Sequence, residues 1–152
     1  MVVHILPLLK GNDLMEVSMQ TKLGHLQFGI EGQNRGFYRD LFTFLGWQIL
    51  HEGEGVLGVG DSNHTSLWFG DATKTVTNDY DGPGLNHFAI HTTTQAEVDQ
   101  AAAYLTERGI PHLFDTPRHR PEFAGGDNTY YQVMFETPDR ILAEVVYIGP
   151  KQ

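Results

Sequence analysis

Residues 85–110 read LNHFAIHTTTQAEVDQAAAYLTERGI, and this stretch decides the fold. Its first part alternates, with Phe88 and Ile90 on one side and His87, Ala89 and His91 on the other, the pattern of a strand with one apolar and one polar face. Thr94 and Glu97 then form an S/T-x-x-E capping box. Val98, Ala101, Ala102 and Leu105 recur at helical spacing, and Gly109 followed by Pro111 ends the helix.

The same order occurs earlier in the chain. LGHLQFGI, residues 23–30, alternates with Leu26, Phe28 and Ile30 opposite His25, Gln27 and Gly29. RGFYRDLFTFL, residues 35–45, places Phe37, Leu41, Phe44 and Leu45 on one helical stripe, and Gly46 stops it. Gly46 stands as far from His25, within one residue, as Gly109 does from His87. Each strand and helix is followed by three short apolar runs: WQILHE, GVLGVG and HTSLWFG in the first half, HLFDT, TYYQVMF and RILAEVVY in the second. Residues 71–84 are a polar connection, and Pro117 to Asn128 read as a long loop.

The chain is therefore expected to be one α+β domain over 22–150, built as two βαβββ modules at about 22–70 and 85–148. A single curved sheet with a helix on one face cannot cover itself, so the two modules must pack together around a pseudo-twofold cleft. Residues 1–21 form an N-terminal extension. Its apolar run VVHILPLL has no basic residue before it, Lys10 after it and no small-residue cleavage site, so it is not read as a signal peptide and the protein is expected to be cytoplasmic; the extension is an accessory arm, an extra strand or partly a consequence of start-site choice.

Composition narrows the function. The 152 residues carry 10 Lys and Arg against 19 Asp and Glu, a formal charge of -9 that disfavours nucleic acid as a partner. Cysteine is absent, which removes disulfides, thiol nucleophiles and thiolate metal sites, while eight histidines leave a His/carboxylate metal site open. The apolar runs are far too short for a membrane span.

If the apolar faces of the two first strands lie under their helices, His25 and His87 become symmetry mates facing one cleft. Glu144 interrupts the apolar run ILAEVVY on the same side as Leu142 and Val146. A carboxylate buried there costs several kcal/mol unless a cation or strong donors accompany it. Arg118, His119 and Arg120 form a cationic knot in an otherwise acidic chain, suited to an anionic substrate group or to solvent. Tyr130 and Tyr131 must face opposite ways, so one can reach the cleft as an acid or hydrogen-bond donor.

GHLQFGI with FYRDLFTFLGWQ, the stretch around His87 quoted first, and YYQVMFETPDRILAEVVY together resemble the vicinal oxygen chelate superfamily, which includes glyoxalase I, extradiol dioxygenases, thiol transferases and bleomycin-binding proteins. The resemblance covers Lys22 to Tyr147. It implies a paired βαβββ fold whose cleft holds a divalent metal (Fe, Mn, Ni or Zn) on His25, His87 and Glu144. Two imidazoles and one carboxylate leave open positions on such an ion for two adjacent substrate oxygens. Tyr130, Tyr131, His91 and His119 are the candidate proton-transfer groups; Gln27, Trp68, Arg118 and Arg120 are the candidate substrate contacts.

Two departures from the family pattern stand out. No carboxylate or amide occurs between Ser66 and Phe69, where glyoxalase I-like members carry a fourth ligand, and His64 reaches that place only if the strand shifts register. Arg140 stands where relatives commonly have Gly in the turn before the last strand. The expected function is a metal-dependent enzyme that acts on a small molecule by ring cleavage, isomerisation or thiol addition, and the relatives imply a homodimer. The alternative is a metal-free protein that sequesters a planar ligand, with Trp68, Phe69, Phe123 and Tyr130 as a stacking set.

Overall fold

The computed structural model describes residues 19–152, so most of the extension expected at 1–21 lies outside the described residues. Two four-stranded curved sheets make up the structure. The first contains β1 (His25–Ile30), β2 (Gln48–Gly53), β3 (Val56–Gly60) and β4 (Ser66–Asp71), with α1 at Arg35–Phe44. The second contains β5 (His87–Thr92), β6 (Leu113–His119), β7 (Asn128–Glu136) and β8 (Leu142–Pro150), with α2 at Gln95–Glu107. Among the described residues no helix is long and apolar enough to cross a membrane.

The sheet orders are β1-β4-β3-β2 and β5-β8-β7-β6. Each helix therefore carries the chain across the whole width of its sheet, and three antiparallel strands bring it back beside the first strand, which pairs in parallel with the last. The helices cover one face of each sheet; the other face is left for function. Thr94 and Glu97 close the capping box at the start of α2, and Val98, Ala101, Ala102 and Leu105 are buried as the sequence pattern requires. Gly46 and Gly109 both end their helices in the left-handed region, at φ 83° and 69°, where glycine lacks the Cβ clash of other residues.

The stripe of α1 differs from the expected one. Tyr38, Leu41 and Phe42 are its buried residues, whereas Phe44 is 41% exposed and stacks on Tyr104 of α2 with ring centroids 4.1 Å apart. A tyrosine counts as a surface residue in a simple apolar pattern, yet Tyr38 is fully buried because its hydroxyl finds partners across the molecule. It donates to Asp139 Oδ2 at 2.7 Å and lies 3.0 Å from Thr137 Oγ1, both in the turn between β7 and β8. The other carboxylate oxygen of Asp139 accepts from the Glu31 backbone N–H at 2.7 Å. Phe28 of β1 and Phe88 of β5 meet at 5.3 Å, so the two modules are joined by an aromatic seam with this polar clasp at its edge.

The turn at Thr137–Ile141 also settles the geometry around Arg140. Arg140 adopts φ 55°, the left-handed conformation that glycine supplies more cheaply. Its N–H bonds to the Thr137 carbonyl at 2.9 Å, so the turn is built despite the residue. The loop expected from Pro117 begins later, since β6 runs on to His119 as an edge strand, where a proline costs no ladder bond.

Two stability measurements check this picture. Tyr38→Phe removes the clasp while keeping the ring, and should lower unfolding free energy by about 1–2 kcal/mol in urea denaturation. Arg140→Gly relieves the left-handed strain and should raise Tm by about 3 °C; an unchanged or lower Tm would show that the Arg140–Glu136 ion pair outweighs the strain.

Candidate functional site

The face of the second sheet turned away from α2 is fixed by register. His87, Ala89 and His91 of β5 stand beside Leu142, Glu144 and Val146 of β8, and Glu144 stands beside Met134 of β7, which puts Tyr130, Gln132 and Glu136 on the same face. Residues of the opposite parity, Val133, Phe135, Ala143 and Val145, join the core under the helix.

Glu144 is 1% exposed. Its Oε2 lies 3.1 Å from His87 Nε2, and its Oε1 has no hydrogen-bond partner among the described residues. The His87 ring is oriented by its neighbour. Asn86 Nδ2 donates to the Tyr80 carbonyl at 2.8 Å, which turns Asn86 Oδ1 toward His87 Nδ1 at 2.7 Å. An oxygen acceptor at that distance requires the proton on Nδ1. In a neutral imidazole Nε2 is then a bare lone pair facing a carboxylate oxygen, and two acceptors repel unless a positive charge joins them. A proton on Nε2 would do so, and so would a divalent ion bound by both atoms. Two such donors, each about 2.1 Å from one ion, lie roughly 3.0–3.4 Å apart. The His87–Glu144 pair, the unpartnered Oε1 and a histidine whose other nitrogen is tied down thus match a metal-binding donor set. Asn86 was not singled out from sequence; the only signal was an amide immediately before a histidine at a strand start.

The other sequence candidates separate by position. His25 opens β1 as His87 opens β5, is exposed, and stands beside Ser66 on the corresponding face of the first sheet. Among the described residues no three His, Asp or Glu side chains are grouped as a metal site, so His25 is not gathered with the other two. His64 sits in the turn before β4 with φ 64°, and the strand does not shift to bring it inward. Gln27 lies along Gly70, and Trp68 covers Gly58 so closely that a Cβ there would meet its ring at 2.6 Å. Both belong to the free face of the first sheet. His91 is exposed two residues beyond Ala89 on the free face of the second.

Tyr130 shares a face with Glu144. Burial first, then the Glu144 carboxylate, push its phenol well above the ordinary tyrosine range, while Arg120 pulls the other way. The residue therefore stays protonated at neutral pH and acts as a donor rather than a base. Tyr131 and His119 face the other way, as alternation dictates. Tyr131 donates to Asp99 of α2 at 2.6 Å, and His119 lies against its ring at 4.6 Å with Nδ1 2.8 Å from Thr129 Oγ1. Burial, followed by the charge of Lys151, holds His119 below the usual histidine range. These two residues are remote from Glu144 because they sit under the helix. Arg118 pairs in register with Gln132 and so belongs to the face of Glu144; Arg120, whose N–H bonds to the Tyr130 carbonyl, is held by Glu122 at 2.5 Å and lies over the Phe123 ring.

Two curved βαβββ sheets, each with a helix on one face, define a glyoxalase/dioxygenase-like fold. A candidate glyoxalase from Bacillus halodurans is similar at TM-score 0.71 and 29% identity, over 84% of this chain and 96% of that one. A glyoxalase/dioxygenase from Nostoc punctiforme shares the fold at TM-score 0.62 and 20% identity, over 92% and 99% of the two chains. A lactoylglutathione lyase from Agrobacterium tumefaciens does so at TM-score 0.60 and 17% identity, over 85% and 95%. Neighbours of this fold are glyoxalase, bleomycin-resistance and dioxygenase proteins, a likeness consistent with the vicinal oxygen chelate superfamily. No family model matches it. The uncharacterized protein YqjT of Bacillus subtilis (strain 168) is 46% identical over 63 residues, 41% of this chain and 46% of that protein, so the match spans less than half of that relative.

The buried tyrosine on the helix side carries a pH prediction. Burial, and then Asp99, push Tyr131 up from 10.0 to about 12. A raised phenol favours the folded state while protonated, so this contribution is complete below pH 10 and fades as pH climbs toward 12. Unfolding free energy should drop by about 2 kcal/mol from this group across that window, and Tyr131→Phe should flatten the drop in alkaline urea titrations.

Proposed function

We propose that this protein is a divalent-metal-dependent enzyme of the glyoxalase/dioxygenase type, acting on a small molecule that presents two adjacent oxygens. The observation that carries the reading is His87 Nε2 held 3.1 Å from a buried Glu144 carboxylate whose second oxygen has no hydrogen-bond partner among the described residues. His87 and Glu144 are the central donors, and His25, at the equivalent position of β1 but not gathered with them in this structure, is the proposed third donor and would have to approach them when an ion binds. A bound divalent ion offers Lewis-acid stabilisation of charge that develops on substrate oxygens.

The chain's own groups define the rest. Asn86 holds the His87 ring so that Nε2 faces Glu144. Tyr130, kept protonated, donates a hydrogen bond to an oxygen that becomes negative, and the apolar neighbours Leu142, Val146 and Met134 keep water away from that face. His91, at the exposed end of β5, is the residue placed to exchange protons with solvent. Lack of a carboxylate or amide between Ser66 and Phe69 of β4 favours oxygenase-like or thiol-transferase-like chemistry over that of glyoxalase I. A homodimer and a cytoplasmic location are part of the same reading; the exposed Ile49 and Leu50 on edge strand β2 give a second copy apolar surface to cover.

A metal-free binding protein is the second reading. Its support is Trp68, whose indole lies flat over Gly58 with Nε1 tied to Ser66 Oγ at 3.0 Å, a fixed platform for a planar ligand.

Calorimetric titration of chelator-treated protein with Mn(II), Fe(II), Ni(II) and Zn(II) separates the two. One ion per chain should bind, Glu144→Gln and His87→Ala should each weaken it at least 100-fold, and Asn86→Ala about 10-fold. Unchanged affinity in both Glu144→Gln and His25→Ala would overturn the metal reading.

A further inference from the structure

We infer that Tyr80 is a positioning residue: braced by Glu136 and Arg140, it holds the connection between the two modules in place and, through Asn86, sets the angle of the His87 ring. The inference rests on the site proposed above. The connection needs such a brace. Of residues 72–86 only Tyr80 and Gly82 are not exposed. A cleft of about 590 Å³ lies between the segment and β1, with Leu26 and Gly29 on one wall and Asn78, Pro83 and Asn86 on the other. Packing therefore contributes little to the position of the segment, and its polar contacts decide it.

Those contacts converge on the turn between β7 and β8. Asn78 Nδ2 donates to the Arg140 carbonyl at 2.7 Å, and the Tyr80 hydroxyl donates to Glu136 Oε2 at 3.0 Å. Arg140 Nε lies 3.6 Å from Glu136 Oε1, and the guanidinium carbon lies 6.0 Å from the centre of the Tyr80 ring. Glu136 thus has both oxygens engaged, which keeps this carboxylate of the free face apart from Glu144. On its other side, the Tyr80 carbonyl accepts from Asn86 Nδ2 at 2.8 Å, and Asn86 Oδ1 faces His87 Nδ1 at 2.7 Å. An amide whose NH2 group is taken by a carbonyl presents its oxygen to the imidazole, so the place of Tyr80 determines how Asn86 meets His87. The register shows what is spanned. Glu136 of β7, Leu142 of β8 and His87 of β5 form one row across the sheet. Two strand spacings, roughly 10 Å, separate the ends of that row. Tyr80 reaches one end through its hydroxyl and the other through Asn86, and so acts as a crossbar. Arg140 gains a role that glycine could not fill, because its guanidinium braces the carboxylate that holds Tyr80.

The test reads His87 first and the ion second. In nitrogen-15 NMR spectra of metal-free, full-length protein, Tyr80→Phe should shift the ring nitrogen signals of His87. Glu136→Gln, which keeps an oxygen for the phenol, should move them less than Glu136→Ala does. Calorimetric titration with Mn(II) follows: Tyr80→Phe should weaken binding about 5-fold and Arg140→Gly about 3-fold. Tm of Tyr80→Phe should stay within about 2 °C, since the segment is exposed and the ring is kept. In an Asn86→Ala background, Tyr80→Phe should cost less than about 2-fold more, because the path through which it acts is already broken. Unmoved His87 signals in Tyr80→Phe, or a loss of affinity that multiplies with that of Asn86→Ala, overturns Tyr80 as a positioning residue even where Glu144→Gln abolishes Mn(II) binding. If the wild-type protein binds none of Mn(II), Fe(II), Ni(II) and Zn(II) while the His87 signals still move in Tyr80→Phe, the brace on His87 stands and the metal reading falls.

Discussion

The buried hydroxyl of Tyr38 is the constraint on which the arrangement depends. A phenol with no exposure loses its hydration entirely, and the structure compensates with Asp139 and Thr137, residues from the other half of the chain. The carboxylate that accepts from Tyr38 also accepts from the Glu31 backbone, so one aspartate ties the end of β1 and the middle of α1 to the turn before β8. Phe28 and Phe88 close the seam from the apolar side. Each module therefore supplies what the other lacks, and neither turn nor helix has its observed surroundings alone. The same clasp fixes where β8 begins, and with it the face on which Glu144 emerges.

How much of this could be seen in the sequence depends on whether a signal was local. Helix α2 was legible throughout, because its cap, its stripe and its stop all lie within sixteen residues of one another in the sequence and obey the same periodicity. Helix α1 was legible in extent but not in orientation. Phe44 was counted with the core, whereas Tyr38 took that role through partners about a hundred residues away that no local pattern displays. The duplication was legible because the two modules repeat each other's order and spacing. The end of β6 was not, since Pro117 reads as a breaker and becomes acceptable only on an edge strand, a property of the sheet order.

The site shows the same division. Glu144 stood out because a carboxylate in an apolar strand violates the alternation around it, and such a violation needs a physical reason. Tyr130 and Tyr131 were known to diverge, and the strand register decides which of them meets Glu144. Asn86 was invisible because its value lies in a chain of two hydrogen bonds, from Tyr80 through the amide to the imidazole, that depends on how the connecting loop folds back. Arg118 was visible only as charge. Its direction could not be counted from the start of β6, because the register with β7 shifts between Leu113 and Arg118 and resets the alternation.

The electrostatics of the whole molecule and of the site pull in opposite directions, and distance decides between them. A formal charge of -9 repels an approaching anion over the range set by the ionic atmosphere, about 8 Å at physiological salt. That repulsion slows encounter, but it acts through water and is screened. At the free face of β6 to β8 the relevant separations are shorter and the medium is less polar, so a positive centre held by His87 and Glu144, as proposed, would outweigh the distant carboxylates. Added salt relieves the long-range repulsion and so would raise the association rate of an anionic ligand, while contacts made within the buried part of that face are screened much less. The acidic surface therefore does not by itself exclude an anionic ligand, because recognition rests on the few groups in contact and not on the field of the surface.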